Sequence, residues 1–521
     1  MRRISYVDLA AQGAPQVVEA DVCIVGAGAA GTYLTHLLAC SGKQVVLLEA
    51  GPDRSVAGSQ AGFDCEMDAT PYSGAIAGRF FGLGGTTAHW GGLLAPHMDC
   101  DLREGEPTAW AWRHILEAVR TRAATVLADL GYTLGADFET WPTSSDARTV
   151  DALRSAGFRT IASLHLPFRR KNLVTLLEAS APQRAKPQLY VGAVAKAWEN
   201  EPDSTQYRVK RLQAVSLNGN HLSVTANQFV IAAGALESAR ILLEINAGAE
   251  GRVLHSGAAP GCYLTDHLSL PIADVPQMAL SRTAALFAPR FCGPWMRTLR
   301  FVENGARLFP ARGFVHFNFV NRSRGFELAR QCLQAVQQRR LPDISAADVF
   351  LGAGDIIRLA EARILRSRLH IPTTAQAQVQ MDIEQRPSRD NGIRLTERQD
   401  RLGRRVPAIR WSISQADQAG IEIAAWSFLE AWPGEGAGLP QLEPRKLDVS
   451  GVKLHDAYHP AGTTRMGDAA DAVVDQDLKV WGTANLHVTS TGVLPSAGSA
   501  NPTFSMLCLT HKLAERLATC R

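Results

Sequence analysis

Residues 21–51, DVCIVGAGAAGTYLTHLLACSGKQVVLLEAG, decide the fold. The apolar run Val22 to Val25 reads as a strand and leads directly into Gly26-x-Gly28-x-x-Gly31. An apolar helix to about Cys40 follows, then a second strand, Val45 to Leu48, ending in Glu49. Each part has a task in a dinucleotide-binding unit. Gly26 permits the tight turn, Gly28 lets a pyrophosphate approach the backbone, and Gly31 lets helix and strand pack closely. The helix N-terminus offers free N–H groups to the phosphates. Glu49, 18 residues after Gly31, stands where a carboxylate takes the ribose hydroxyls. It would repel a 2′-phosphate, which disfavours NADP. The motif alone does not separate NAD from FAD.

Working outward, residues 186–240 alternate in strand fashion (LYVGAVAKAW, YRVKRLQAVSL, HLSVTANQFVIAA), with Asn218-Gly219-Asn220 as the hairpin turn between the last two. FVIAAGALESARILL then repeats strand, glycine and helix around Gly234. This fits either a second nucleotide-side turn or a plain β–α connection. From roughly 260 to 449 the pattern changes: strand-like pieces (GFVHFNFV, AQVQMDIEQ, AIRWSIS) enclose a helical stretch from about Arg324 to Leu369. Its apolar period runs through Leu328, Cys332, Leu333 and Val336. The basic residues Arg339, Arg340, Arg363, Arg366 and Arg368 are expected on a solvated face. Strand and helix signals return at the C-terminus, so the nucleotide domain is assembled from separated segments.

Composition narrows the class. The chain has 521 residues, 46% of them hydrophobic and 20% charged, as in a globular protein of more than one core. The formal charge is +4, with Lys and Arg dispersed, so a nucleic-acid partner is not expected. No stretch approaches the roughly 18 apolar residues of a membrane span. The opening MRRISYVDLAAQGAPQ lacks the apolar run of a secretory signal. Nine scattered cysteines without a CxxC pair argue against zinc, iron–sulfur or c-type haem, so no metal is expected; they fit a reducing cytoplasm.

Two further stretches carry candidate chemistry. Gly84 to Gly92, GGTTAHWGG, sets His89 and Trp90 among small residues that let a backbone press against a flat or bulky ligand; a tight turn with an incidental ring pair would read the same. Near the C-terminus, His459 precedes Pro460-Ala461-Gly462 in a loop context. Asn501 precedes Pro502-Thr503, a context that also suits a plain helix cap.

Seven segments together resemble the glucose–methanol–choline (GMC) flavoprotein oxidoreductases, in that family's order: VGAGAAG with LLEAG, GGTTAHWGG, VIAAGALESARILL, GCYLTDH (Gly261 to His267), HPAGTTRMG, NLHVTSTGVLP and ANPTFSM. The segment EQRPSRDNGIRLTERQDRLG resembles the family as well, whereas 110–180 and 324–369 match nothing recognisable. The resemblance implies FAD rather than NAD. It implies an α/β fold in which a Rossmann-type FAD-binding domain, assembled from residues 1–109, 180–259 and 450–521, is interrupted by an α+β substrate domain with an antiparallel sheet, residues 110–179 and 260–449. It implies a catalytic pair, His459 and Asn501. It also implies FAD contacts from Gly26, Gly28, Gly31, Glu49, Gly84, Gly85, Thr86, His89, Trp90, Val194, Gly234, Gly492, Asn501, Pro502 and Thr503.

His89 followed by Trp90 is similar to sugar-oxidising members. In some members that histidine is bonded covalently to the flavin, and in others with a histidine there FAD is held non-covalently. One departure stands out: Ser490 occupies the place where many members have an aspartate. The expected reaction is oxidation of an alcohol to a carbonyl, with His459 taking the hydroxyl proton, Asn501 holding the substrate oxygen and FAD performing the redox chemistry. The expected substrate is a sugar, glycoside or polyol-like alcohol. Aliphatic, choline-like or sterol alcohols are alternatives, as is a non-redox flavin-containing lyase on the same fold. The electron acceptor is left open between oxygen, a quinone and a redox protein.

Overall fold

The computed structural model describes residues 4–12, 16–68, 70–139, 147–178, 184–201, 206–304, 308–447, 449 and 454–520. The domain boundaries expected at 179/180 and 449/450 fall on or beside residues outside this set.

Two sheets organise the chain. The first has eight strands, in the order Val7–Asp8, Gln188–Val191, Val45–Leu48, Gln16–Val25, His221–Ile231, Val209–Val215, Val194–Asn200, and Leu486–Val488 also pairs with His221–Ile231. Its central ladders are parallel: Val22 faces Val45, and Phe229 faces Cys23 on one side and Leu486 on the other. Strands covered on both faces read as unbroken apolar runs, which is why Val22 to Val25 and Val45 to Leu48 are legible. The helices Ala29–Ser41, Gly234–Gly248 and Thr503–Thr519 bury their apolar residues here. This is the Rossmann-type α/β fold expected, built from segments near both ends and the middle of the chain.

The second sheet has nine strands, in the order Glu443–Pro444, His267–Asp274, Gln376–Glu384, Gly313–Val320, Trp295–Glu303, Phe158–His165, Leu93–Leu94, with Arg290–Cys292 and His455–Asp456 paired at its sides. Every pairing in it is antiparallel. One face buries Leu268, Leu270, Val379, Met381, Ile383, Val315, Leu299, Phe301 and Ala162 in a core of its own, roofed by helix Gln415–Ala431 through Ile421, Ala424 and Phe428. The opposite face mixes polar residues with Ile161, Val302 and Phe314, which join the core of the first sheet.

Several local expectations needed correction. LYVGAVAKAW is two strands, because Gly192 turns with φ +62° and sends Gln188–Val191 and Val194–Asn200 to different places in the sheet. The helical stretch 324–369 is a pair of helices, Arg324–Gln337 and Ala346–Leu365, interrupted around Pro342, which cannot continue a helix. Leu328 is buried as expected, whereas Leu333 is exposed. Arg340 and Arg366 are exposed on this pair; Arg339, Arg363 and Arg368 are half-buried. Helix Ala109–Asp129 and the strands His267–Asp274 and Trp295–Glu303 carried no motif that sequence reading recognised.

Candidate active site

An open cavity lies at the carboxyl ends of the strands Gln16–Val25 and His221–Ile231. Of the residues expected to hold the cofactor, Gly26, Gly28, Glu49, Gly85, Thr86, Trp90, Val194, Gly234, Pro502 and Thr503 line it, together with His459. Gly31, Gly84, His89, Gly492 and Asn501 are not part of its lining, though Asn501 touches His459, which is. Gly31 packs the helix onto the first turn, and any side chain there would collide with the Gly26 carbonyl. Gly84, at φ +87°, presses on Asn172. A Cβ on Gly492 would meet the Thr463 and Thr464 hydroxyls at 2.6 and 2.8 Å.

The cavity suits FAD on three counts. A Cβ built on Gly28 would have no protein atom within 4 Å, so the turn leaves an open cradle where a pyrophosphate approaches. Gly28 caps helix Ala29–Ser41 without a side-chain hydrogen bond, leaving the first N–H groups available to an anion. Glu49 reaches the cavity while accepting N–H bonds from Ala27 (2.8 Å), Gly51 (2.9 Å) and Gly82 (2.8 Å). It therefore ties the first glycine turn to the start of the Gly84–Gly92 loop. Burial pushes its carboxyl above the usual range, opposed by those N–H bonds. Ser490 also faces the cavity and caps the turn Thr491–Val493, its Oγ accepting from the Gly492 N–H at 3.2 Å.

His89 ends the short 3₁₀ turn Gly85–Ala88 and stacks on Phe80, centroids 3.8 Å apart and planes 11° apart. Its Nδ1 lies 3.3 Å from Gln338 Nε2, and its Nε2 is buried without a hydrogen-bond partner. Trp90 donates its indole N–H to the Lys171 carbonyl at 2.7 Å.

The tertiary structure brings His459 and Asn501 together: Asn501 Nδ2 lies 2.6 Å from His459 Nε2. Behind them stands His267, whose role no sequence pattern announced although it ends the GCYLTDH segment. His267 Nδ1 is 3.0 Å from His459 Nδ1, and His267 Nε2 is 2.7 Å from the Gly498 carbonyl. A carbonyl only accepts, so His267 Nε2 carries the hydrogen and, in the neutral ring, its Nδ1 has the lone pair. His459 Nδ1–H must then donate to it, which leaves the His459 Nε2 lone pair pointing at Asn501. Burial, with the neighbouring imidazole, holds His459 well below the ordinary histidine range, and burial lowers His267 too.

Asp266 fixes the loop. It accepts from the backbone N–H of His459 (2.9 Å to each oxygen), from that of His267 (2.7 Å) and from the Tyr72 hydroxyl (2.5 Å). These bonds hold Tyr458 at φ +62°, a conformation that costs energy unless its surroundings impose it. Asp266, His267 and His459 are also close enough together to hold a metal ion. Their donor atoms are, however, already committed to the hydrogen bonds just given.

The antiparallel sheet supplies a polar wall near this pair. In register, Ser269 faces Asp382, Asp382 faces Phe314, His316 faces Gln380 and Thr298 faces Ser163. Alternation keeps these side chains, with Arg300, His165 and His267, on the face turned from the apolar core. Sequence reading missed them because they are single residues on five strands, gathered only by pairing.

The C-terminal part of the chain, residues 387–510, matches the GMC oxidoreductase family model, and residues 19–67 match an FAD-binding domain model. Pyridoxine 4-oxidase of Microbacterium luteolum is 24% identical over 91% of this chain and 95% of its own. C-glycoside 3-oxidase of Arthrobacter globiformis is 31% identical over 121 residues, a match spanning only 23% of this chain and 22% of that relative. Pyranose 2-oxidase of Lyophyllum shimeji is 32% identical over 23% of this chain and 19% of its own. Among solved structures, pyridoxine 4-oxidase from Mesorbium loti superposes with a TM-score of 0.57 at 18% identity, covering 95% of this chain and 98% of that one. A formate oxidase superposes with the same TM-score at 15% identity, covering 96% and 98%.

Proposed function

The chain belongs to the GMC oxidoreductases and binds FAD, and from that premise we propose that it oxidises a CH–OH group to a carbonyl with His459 as the base. The observation that carries this reading is the Asn501–His459–His267–Gly498 chain of hydrogen bonds, which supports an unprotonated Nε2 at the end facing Asn501. FAD, held by the glycine turns and Glu49, would supply the hydride acceptor for this oxidation. His459 accepts the hydroxyl proton at Nε2. Asn501 Nδ2–H, which in the structure donates to that same nitrogen, turns to the alcohol oxygen and holds the carbinol in place. Its Oδ1, buried without a hydrogen-bond partner, is free to take a second substrate hydroxyl. We assign the FAD side to residues 1–109, 180–259 and 450–521, and the substrate side to 110–179 and 260–449.

A sugar, glycoside or other polyol-like alcohol is the substrate class that fits best. Asn501 Oδ1 and the Ser163 hydroxyl, both buried without a hydrogen-bond partner, would stay unpaired beside an aliphatic or sterol alcohol, at a cost. The C-glycoside and pyranose oxidase relatives support the same class over part of the chain. Anaerobic addition of an alcohol panel to the yellow holoprotein tests the reading. Bleaching by a polyhydroxylated alcohol is expected, and a flavin that no alcohol reduces would overturn it. Readmission of oxygen then separates an oxidase from a dehydrogenase that needs a quinone or redox protein.

Two further outcomes follow from the geometry. His267→Leu removes the acceptor that fixes the His459 tautomer and is expected to slow flavin reduction about 10- to 100-fold. His267→Gln can donate to Gly498 and accept from His459, so it should recover most of that loss, which a purely structural defect would not allow. For His89, stacking on Phe80 outside the cavity lining favours FAD held without a covalent bond. Acid precipitation should leave the colour in the supernatant; a yellow pellet that turns white in His89→Ala would assign the bond to His89.

A further inference from the structure

One corner of the polar wall collects two buried cations, Arg300 and Lys171, that no carboxylate pairs directly among the described residues, Asp382 acting on Arg300 only from a distance. Arg300 is only 7% exposed; its guanidinium lies over the Phe314 ring at 3.8 Å, and Nη1 is buried without a hydrogen-bond partner. The carboxylate of Asp382, on a nearby strand, is engaged by His316 at 3.2 Å. Lys171, 6% exposed, holds its ammonium over the Phe168 ring at 3.7 Å, and no ion pair joins it to a carboxylate among the described residues. Between them, His165 contacts Thr298 Oγ1 at 3.0 Å through Nε2 and the Gly91 carbonyl at 3.3 Å through Nδ1. Ser163 faces Thr298 across the strands, and its hydroxyl is buried and unpartnered.

Cation–π contacts of this kind return only part of what burying an unpaired cation costs. Burial pushes Lys171 down to about 8 and Arg300 down to about 10, while burial and the two cations take His165 down to about 3. The place of this corner is informative. Phe314, beneath the Arg300 guanidinium, receives His267 edge-on at 5.4 Å, and His267 contacts His459. The far side is the Gly84–Gly92 loop, whose Trp90 lines the cofactor cavity.

We infer that Arg300, Lys171 and Ser163 bind an anionic oxygen group on the substrate, so that the alcohol oxidised at His459 is a sugar acid or a sugar phosphate rather than a neutral sugar. This rests on the reading of the site as an alcohol-oxidising one. It narrows the substrate to a polyol bearing a carboxylate or a phosphate.

The test is anaerobic flavin reduction of the holoenzyme by matched compounds: gluconate and glucuronate, the methyl ester of glucuronate, glucose, and glucose 6-phosphate. The charged compounds are expected to half-saturate reduction at concentrations about 10- to 100-fold below their neutral partners, the range of a hydrogen bond to a charged group. Arg300→Gln should remove that preference, and Arg300→Lys should keep part of it. Preference confined to gluconate and glucuronate assigns a carboxylate; preference confined to glucose 6-phosphate assigns a phosphate. Equal or better saturation by glucose and the ester overturns the inference while leaving alcohol oxidation standing, as does a preference that survives in Arg300→Gln. If none of the panel bleaches the flavin, the sugar reading fails, and the anion site is then judged by binding. Succinate or inorganic phosphate should perturb the flavin absorbance saturably in the wild type and not in Arg300→Gln. No saturable change with either overturns the inference.

Discussion

His459→Ala is expected to slow anaerobic flavin reduction by about 10² to 10⁴, the range of a positioned general base, while the protein stays folded and yellow. The imidazole makes its side-chain hydrogen bonds to His267 and Asn501, so its removal leaves the glycine turns and Glu49 undisturbed. Asn501→Ala should lose less, since it positions the alcohol without accepting its proton. The pH profile carries the same assignment. A base works unprotonated, and burial beside His267 lowers the His459 pKa well below 6.5. Flavin reduction should therefore hold its plateau through pH 6.5 and fall only on the more acid side; a limb centred at or above 6.5 would contradict the assignment. Reduction of His459→Ala within a factor of a few of wild type would move the base elsewhere. The substitute would be His267, not His455, which is nearest in sequence but exposed and turned to the Asp456 carbonyl.

Gly28→Leu should give a folded, colourless protein, and its contrast with Gly31→Ala isolates cofactor binding from folding. Gly28 has an ordinary φ of −77°, and a Cβ there meets nothing in the protein. The leucine is thus tolerated by the chain and fills the cradle, weakening FAD on the order of 10²-fold by overpacking it. At Gly31 even a methyl group runs into the Gly26 carbonyl, so the first strand and helix are forced apart and folding itself suffers. Far-ultraviolet circular dichroism and FAD reconstitution, measured on both, separate the two effects. A Gly28→Leu protein that takes up FAD with wild-type affinity would remove the first glycine turn from the cofactor site.

Local chemistry made the nucleotide half legible. Buried parallel strands are continuous apolar runs, tight turns need glycine, and a helix following them at once leaves its N–H groups unsatisfied; all three are written in consecutive residues between Val22 and Glu49. The hairpin at Asn218-Gly219-Asn220 was legible for the same reason, Gly219 sitting at φ +82°. As a candidate pair, His459 and Asn501 stood out only through the family resemblance, because nothing in either local sequence distinguishes a base from a loop histidine or a helix cap.

Consecutive residues thus carry the fold class, and the seven family-like segments carry FAD as the cofactor. Tertiary structure alone decided the rest. Asn501 meets His459 across 42 residues and His267 meets it across 192, so the tautomer that leaves Nε2 unprotonated exists only once the two sheets are assembled. Arg300, Ser163 and His165 likewise become neighbours through antiparallel register rather than spacing. A charge or an orphaned donor has no meaning along a chain: whether Arg300 is solvated or unpaired depends on what packing brings beside it, and that is fixed by the fold.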